Sequence, residues 1–177
     1  EMFLFYHKAH EHGLLWTIVE ERITLRIMST EQSILEELSF LGQPLGVIST
    51  VNVEGRPESS SIYYVYDEAL NFYFITRAES RKYINIKNNP YVSFVVTKEH
   101  PPHTLQVEGV ASHVTDPHEE DEHFTRLIAL ASERLSMPPV SQISGGEMLF
   151  MKIETMWARI GNFEVMKEGN KFVEVKL

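Results

Sequence analysis

Residues 76–98 carry the pattern most able to do chemistry. Arg77, Arg81, Lys82, Lys87 and Lys98 stand against a single acid, Glu79, a net of +4 within a chain of 177 residues whose overall charge is −9. Ser80-Arg81-Lys82 sets a hydroxyl, a guanidinium and an ammonium within one turn of a helix start. Free backbone N–H groups and the positive end of the helix dipole strengthen the field there. Such a cluster can hold a phosphate monoester, and Thr76, closing the strand before it, offers a second hydroxyl. The same residues equally suit an ordinary capped helix with its basic side chains in solvent.

Other candidates are weaker. Ser59-Ser60-Ser61 could hide a nucleophile, but no His lies at a telling position, and a polar face of a half-buried strand is the better reading. His113, His118 and His123 sit among Asp116, Glu119, Glu120, Asp121 and Glu122. Only His118 with Glu122, or Glu119 with His123, would share a helix face. Two ligands make a poor metal site, so a solvated acidic face is expected. His7, His10 and His12 read as a chance cluster in a polar extension. No Gly-x-Gly-x-x-Gly, P-loop, Gly-x-Ser-x-Gly or His-Glu-x-x-His motif occurs.

Composition narrows the class. Hydrophobic residues at 43% and charged ones at 23% suit a globular fold. The absence of cysteine removes disulfides, thiolate metal sites and cysteine nucleophiles. It agrees with a cytoplasmic location, which is the expectation. A charge of −9 argues against sequence-independent nucleic-acid binding, which draws its affinity from Lys and Arg. The apolar run Leu14–Val19 is far too short to span a membrane, and the Lys/Arg order around it is not that of a signal peptide. Met28-Ser29-Thr30-Glu31 resembles an ordinary translation start, so residues 1–27 are expected to be an extension and 28–177 a single domain.

The elements that must position the basic cluster follow from periodicity. A capping box at Ser29 and Gln32 opens a helix over 30–41, stopped by Gly42 and Pro44. Strands are expected at Leu45–Val53, Glu58–Tyr66 and Phe72–Thr76, joined by tight turns into an antiparallel meander. Ser80 caps a helix to about Asn88, closed by Asn89-Pro90. Strands Tyr91–Lys98 and Thr104–Val114 follow. Asp116-Pro117 opens a third helix with a stripe of Phe124, Leu127, Ile128, Ala131 and Leu135. Glu147–Met166 and Lys171–Val175 complete about seven strands and three helices. Closure toward a small barrel would remove most of the sheet edges.

With those elements in place, the run from Phe72-Tyr73-Phe74-Ile75-Thr76 through Ser80-Arg81-Lys82 to Asn89-Pro90-Tyr91-Val92-Ser93 resembles the pyridoxamine 5′-phosphate oxidase-like family of FMN-binding split barrels. Gly46-Val47-Ile48-Ser49-Thr50 with Gly55-Arg56-Pro57 is similar to the family's first hairpin, and Gln106–Ala111 to its central strand. The likeness extends over about residues 30–160.

The resemblance implies a mainly β split barrel, a homodimer and two FMN molecules in grooves between subunits. Arg81 and Lys82 would hold the phosphate, assisted by Ser80 and Thr76. Ser60, Ser61 and Ile62 would run along the isoalloxazine, and Thr104 or Gln106 would reach it from a neighbouring strand. Trp157 and Arg159 would approach from the partner subunit, or else be a core Trp and a surface Arg. The resemblance implies an FMN-dependent oxidoreductase acting on a small molecule, with no side chain marked as general acid or base. A flavin-binding module without turnover, or haem or a deazaflavin in the same groove, are its alternatives; haem would want His100 or His103. One departure bears on substrate. Ser59–Tyr66 contains no Lys or Arg, and Arg159 is the sole Arg after Trp157, where oxidases of pyridoxamine phosphate place cations for the substrate phosphate.

Overall fold

Alternation of apolar and polar residues gives each strand an inward and an outward side, and strand register joins these sides into two faces. The computed structural model describes residues 30–42, 44–100, 102–134, 146–163 and 172–177. Its elements are α1 (Thr30–Leu41), β1 (Leu45–Val51), β2 (Pro57–Tyr63), β3 (Val65–Tyr66), β4 (Phe72–Arg77), α2 (Arg81–Asn88), β5 (Tyr91–Lys98), β6 (His103–His113), α3 (Pro117–Arg134), β7 (Met148–Asn162) and β8 (Phe172–Lys176). Ser29, the histidines of the first 27 residues, and the junction before β8 lie outside the described residues. Among the described residues no helix is long and apolar enough to cross a membrane.

The strands form one antiparallel sheet in the order β2-β1-β5-β6-β7-β4-β3, with β8 also on β7. Its curl brings the edge strand β2 beside β4, the open half-barrel of a split-barrel fold. One rung runs Ser60, Ile48, Phe94, Val107, Ala158, Val175; all but Ser60 are buried. That rung faces the main core, closed by Ile34, Leu38 and Leu41 of α1 and Ile86 of α2. The next rung runs Ser61, Val47, Val95, Gln106, Arg159, Glu174 and is open or half-open to solvent. Beyond it, the same outer face is covered by α3, where Tyr73, Phe150 and Val65 pack on Leu127 and Phe124.

Two expectations are corrected and a third is resolved. The strand expected over Glu58–Tyr66 breaks at Tyr64. That ring turns into the main core edge-on to Phe94, with centroids 5.0 Å apart, while Val65 goes to the second core. β2 therefore pairs with β1 and β3 with β4, and the meander is interrupted. Secondly, among the described side chains of α3 the stripe is His123, Phe124, Leu127 and Leu130, while Ile128 is exposed and the expected Ala131 and Leu135 side chains lie outside those described. Thirdly, of the two placements left open for Trp157, the core one is not adopted. Glu108 pairs with Trp157 but Gly109 with Thr155, leaving Met156 as the extra residue of a β-bulge. The bulge resets the alternation: Thr155, Ala158 and Ile160 point inward, and Trp157 and Arg159 outward.

Candidate functional site

The basic cluster is built by the joint between β4 and α2. Thr76 is 2% exposed and its hydroxyl lies 2.9 Å from that of Ser80. Ser80 is extended (φ −69°, ψ 144°), and its Oγ accepts from the Tyr83 N–H at 3.2 Å, which caps α2. The helix closes where Asn89, held extended ahead of Pro90, donates its N–H to the Asn85 carbonyl at 2.8 Å. No acid occupies the first turn of α2, so the helix supplies no counter-charge of its own.

Lys82 is half-buried, and burial pushes its ammonium pKa below the ordinary 10.5. Among the described residues it has no ion-pair or hydrogen-bond partner. An uncompensated, partly desolvated cation destabilises the ligand-free fold and is the kind of group a binding site retains. Beside it is a pocket of about 290 Å³ between Thr50, Ser60, Ser80, Arg81 and Lys82.

A carboxylate also enters that pocket. Glu58, at the start of β2, accepts from Arg81 and from the side-chain amides of Asn85 and Asn52, each amide at 3.0 Å. The Arg81 guanidinium, then Asn85 and Asn52, hold its pKa below the usual carboxylate value. Asn85 spends its second amide proton on Thr50 Oγ1 at 3.0 Å. Asn52 is itself fixed by the β1–β2 turn, its Oδ1 accepting from the Glu54 and Arg56 N–H groups at 3.0 Å. Thr50, Asn52, Glu58 and Asn85 were not singled out from sequence. The one local signal was Asn85 four residues after Arg81, on the same side of α2.

The structure brings Ser60, Thr76, Ser80, Arg81 and Lys82 together, with the Ile62 side chain in the adjoining core. Ser61, Thr104, Gln106, Trp157 and Arg159 gather instead on the outer face of the sheet. There Gln106 Oε1 accepts from Arg159 Nε at 3.1 Å and Nη2 at 2.5 Å, and Glu174 pairs with Arg159 at 3.5 Å. The guanidinium stacks 4.7 Å from the Phe172 ring and 5.5 Å from the Trp157 ring. Edge strand β2 separates the two groups, presenting Ser60 inward and Ser61 outward, and β1 is its only strand partner among the described residues.

Neither histidine considered for haem lines this pocket. His103 is buried 3.5 Å from Glu37 of α1, and His100 lies exposed beside Glu99. The acidic face expected at the start of α3 is exposed at Asp116, His118, Glu120, Asp121 and Glu122, and only Glu119 and His123 depart from it by turning inward. Tyr73, 1% exposed, brings its hydroxyl to Asp67 at 2.9 Å and Glu119 at 2.8 Å. Glu119 accepts from Lys152 at 2.8 Å, and His123, 5% exposed, stacks on the Tyr73 ring at 3.9 Å. Burial and the two carboxylates push the Tyr73 phenol far up. Hydrogen bonds from Lys152 and Tyr73 hold Glu119 down. Burial opposes the Asp67 charge, but donors from Asn71, Tyr73 and Ala69 outweigh it and lower its pKa. Among the described residues no cluster of three His, Asp or Glu could hold a metal.

Comparison with known proteins agrees with this architecture. Residues 32–159 match the family model for pyridoxamine 5′-phosphate oxidase. A pyridoxine/pyridoxamine 5′-phosphate oxidase of Bacteroides thetaiotaomicron is 32% identical over 115 residues, covering 63% of this chain and 54% of that protein. The chain thus spans about half the length of that curated relative. Among solved structures, a putative pyridoxamine 5′-phosphate oxidase of Listeria innocua is similar with a TM-score of 0.56 at 19% identity, over 73% of this chain and 96% of that one. A pyridoxamine 5′-phosphate oxidase-related, FMN-binding protein of Nostoc punctiforme gives 0.50 at 14%, over 76% and 86%. The haem storage protein HutZ of Vibrio cholerae gives 0.50 at 21%, over 68% and 87%. On the family match across most of its described length, this chain belongs to the pyridoxamine 5′-phosphate oxidase family.

Proposed function

We propose that the chain is an FMN-binding flavoprotein of the oxidoreductase class, with the flavin phosphate held at the start of α2. The observation that carries this is Lys82, a half-buried ammonium without a counter-ion among the described residues, beside Ser80, Arg81 and a pocket open to a small anion. The donor set fits a phosphate monoester: one ammonium, one guanidinium, the Ser80 hydroxyl and the N–H groups of the helix start. The FMN-binding Nostoc relative, with its similar fold, agrees with this reading.

From that anchor, β2 offers a route for the planar ring. An edge strand has backbone N–H and C=O groups that its one neighbour leaves unused, and Ser60–Ile62 would meet the polar edge of an isoalloxazine with them. When bound, FMN supplies hydride or single-electron transfer through N5. The chain's own residues bind, orient and shield, and none is assigned as general acid or base. The outer face exposes Leu45 and Val47 beside Gln106 and Arg159. Pairing of two copies across that face would bring Trp157 and Arg159 of one subunit toward the ring held by the other. β2 lacks a cation for a second phosphate, which favours a substrate other than a vitamin B6 phosphate.

Titration of purified protein with FMN, riboflavin and haemin tests the reading. Uptake of FMN well above riboflavin is expected, lost in Arg81→Ala/Lys82→Ala protein with unchanged circular dichroism. A protein that takes up haemin and no FMN refutes it. Reduction of the bound flavin by NADH or NADPH separates an enzyme from a flavin-binding module without turnover.

A further inference from the structure

We propose that Glu58 is a built-in counter-ion of this pocket, which a bound phosphate must displace from Arg81, so that one carboxylate sets the affinity of the site. The inference rests on the phosphate reading above. Glu58 takes up the hydrogen bonds that a phosphate oxygen would seek there. Arg81, Asn85 and Asn52 all aim N–H groups at its two oxygens. Glu58 is the acid that pairs with Arg81 among the described residues, and the Arg81 side chain is otherwise 81% exposed. Without that carboxylate nothing described would hold the guanidinium over the pocket.

The consequence for binding follows from charge. With Arg81 and Lys82 against Glu58, the ligand-free pocket carries a net +1. A phosphate dianion entering it meets one free cation, Lys82, and one cation already engaged. It must take over the guanidinium beside a carboxylate that stays ionised at neutral pH, and two anions at such range repel strongly where solvent is partly excluded. Asn52 and Asn85 keep Glu58 in place whether or not Arg81 stays. The carboxylate therefore opposes every anion equally. Only a ligand with further contacts, such as a flavin ring along β2, overcomes it, so free inorganic phosphate is kept out.

Glu58→Gln removes the charge and keeps the shape and an acceptor oxygen. Calorimetric titration of wild type and E58Q should show FMN binding about tenfold tighter in the variant, equivalent to about 1.4 kcal/mol. Inorganic phosphate should become a measurable competitor, while riboflavin affinity stays unchanged. FMN affinity that is unchanged or weaker in E58Q overturns the proposal and makes Glu58 a group that orients Arg81. Wild-type protein offers a check without mutation: carboxyl-carbon NMR of Glu58 should show its titration moving upward on saturation with FMN as Arg81 leaves. A titration that does not move also overturns the proposal. FMN binding insensitive to Glu58 removes this inference alone, whereas a wild type that binds no FMN removes the phosphate reading and this inference with it.

Discussion

Lys82→Met separates a binding cation from a structural one because the two roles predict opposite signs. Methionine keeps an unbranched apolar stem of similar length and deletes the charge. In the absence of ligand, wild type bears the cost of a half-buried ammonium that no described residue compensates. Removing such a charge is expected to stabilise the free protein by about 0.5–2 kcal/mol, a rise of roughly 1–8 °C in Tm for a chain of this size. Binding should move the other way. A charge-assisted hydrogen bond contributes about 1.5–3 kcal/mol, so FMN affinity should fall by roughly 10- to 150-fold. The pH dependence adds a third sign. A lysine whose folded-state pKa lies below 10.5 penalises the fold while it is charged. That penalty fades as pH rises through the folded-state value, and wild type should gain on the variant until about the unfolded value. Thermal melts of both proteins without ligand, from neutral pH to 10.5, together with FMN fluorescence titrations, measure all three. A variant that melts lower than wild type and still binds FMN normally would refute the reasoning and make Lys82 a packing residue.

Two further outcomes concern the frame around the site. Tyr73→Phe should cost about 1–3 kcal/mol in urea unfolding, because Asp67 and Glu119 lose a shared donor in a buried setting. Both carboxyls stand below their ordinary 3.8 and 4.5, so their contribution is present above those values and disappears as pH falls through the lower folded-state ones. Hydrogen exchange along α3 should accelerate over that acid range in wild type, and a response confined to β1 or β5 would count against the link. Gly46→Ala places a Cβ 2.4 Å from the Phe94 ring; overpacking should cost about 1–3 kcal/mol. Phe94→Leu in the same chain should recover part of it, and simple additivity of the two losses would contradict the clash.

What could be read from the chain was local. The Ser80 cap, the Asn89-Pro90 stop and the Asp116-Pro117 start act within a few residues, and the observed α2 and α3 begin and α2 ends where those signals stand. The basic half of the pocket was legible for the same reason. Its acidic partner was not, because Glu58 sits in an unremarked Pro-Glu-Ser run and meets Arg81 only when the sheet curls. Ile62-Tyr63-Tyr64-Val65-Tyr66 is a continuous run of strand formers without Gly or Pro, so nothing in it marks the break at Tyr64. The bulge at Met156 likewise has no residue signature, yet it decides on which face Trp157 stands. His123 was hidden by the acids around it, whereas α3 docks by that very side.

The pairing of β4 with β7 also has a consequence in time. Thr76 sits opposite Leu149, and the β3–β4 ribbon pairs with no other strand than β7 among the described residues. During synthesis at about 5–20 residues per second, the roughly seventy residues between Arg77 and Met148 take on the order of 4–15 s to appear. Through that interval the ribbon carries an unmatched edge, which is a template for stray pairing. The hydroxyl pair of Thr76 and Ser80 is correspondingly among the last parts of the pocket to be locked. A nascent chain would therefore complete the proposed phosphate site late, and a supply of ligand would rescue slow-maturing variants only after β7 has been made.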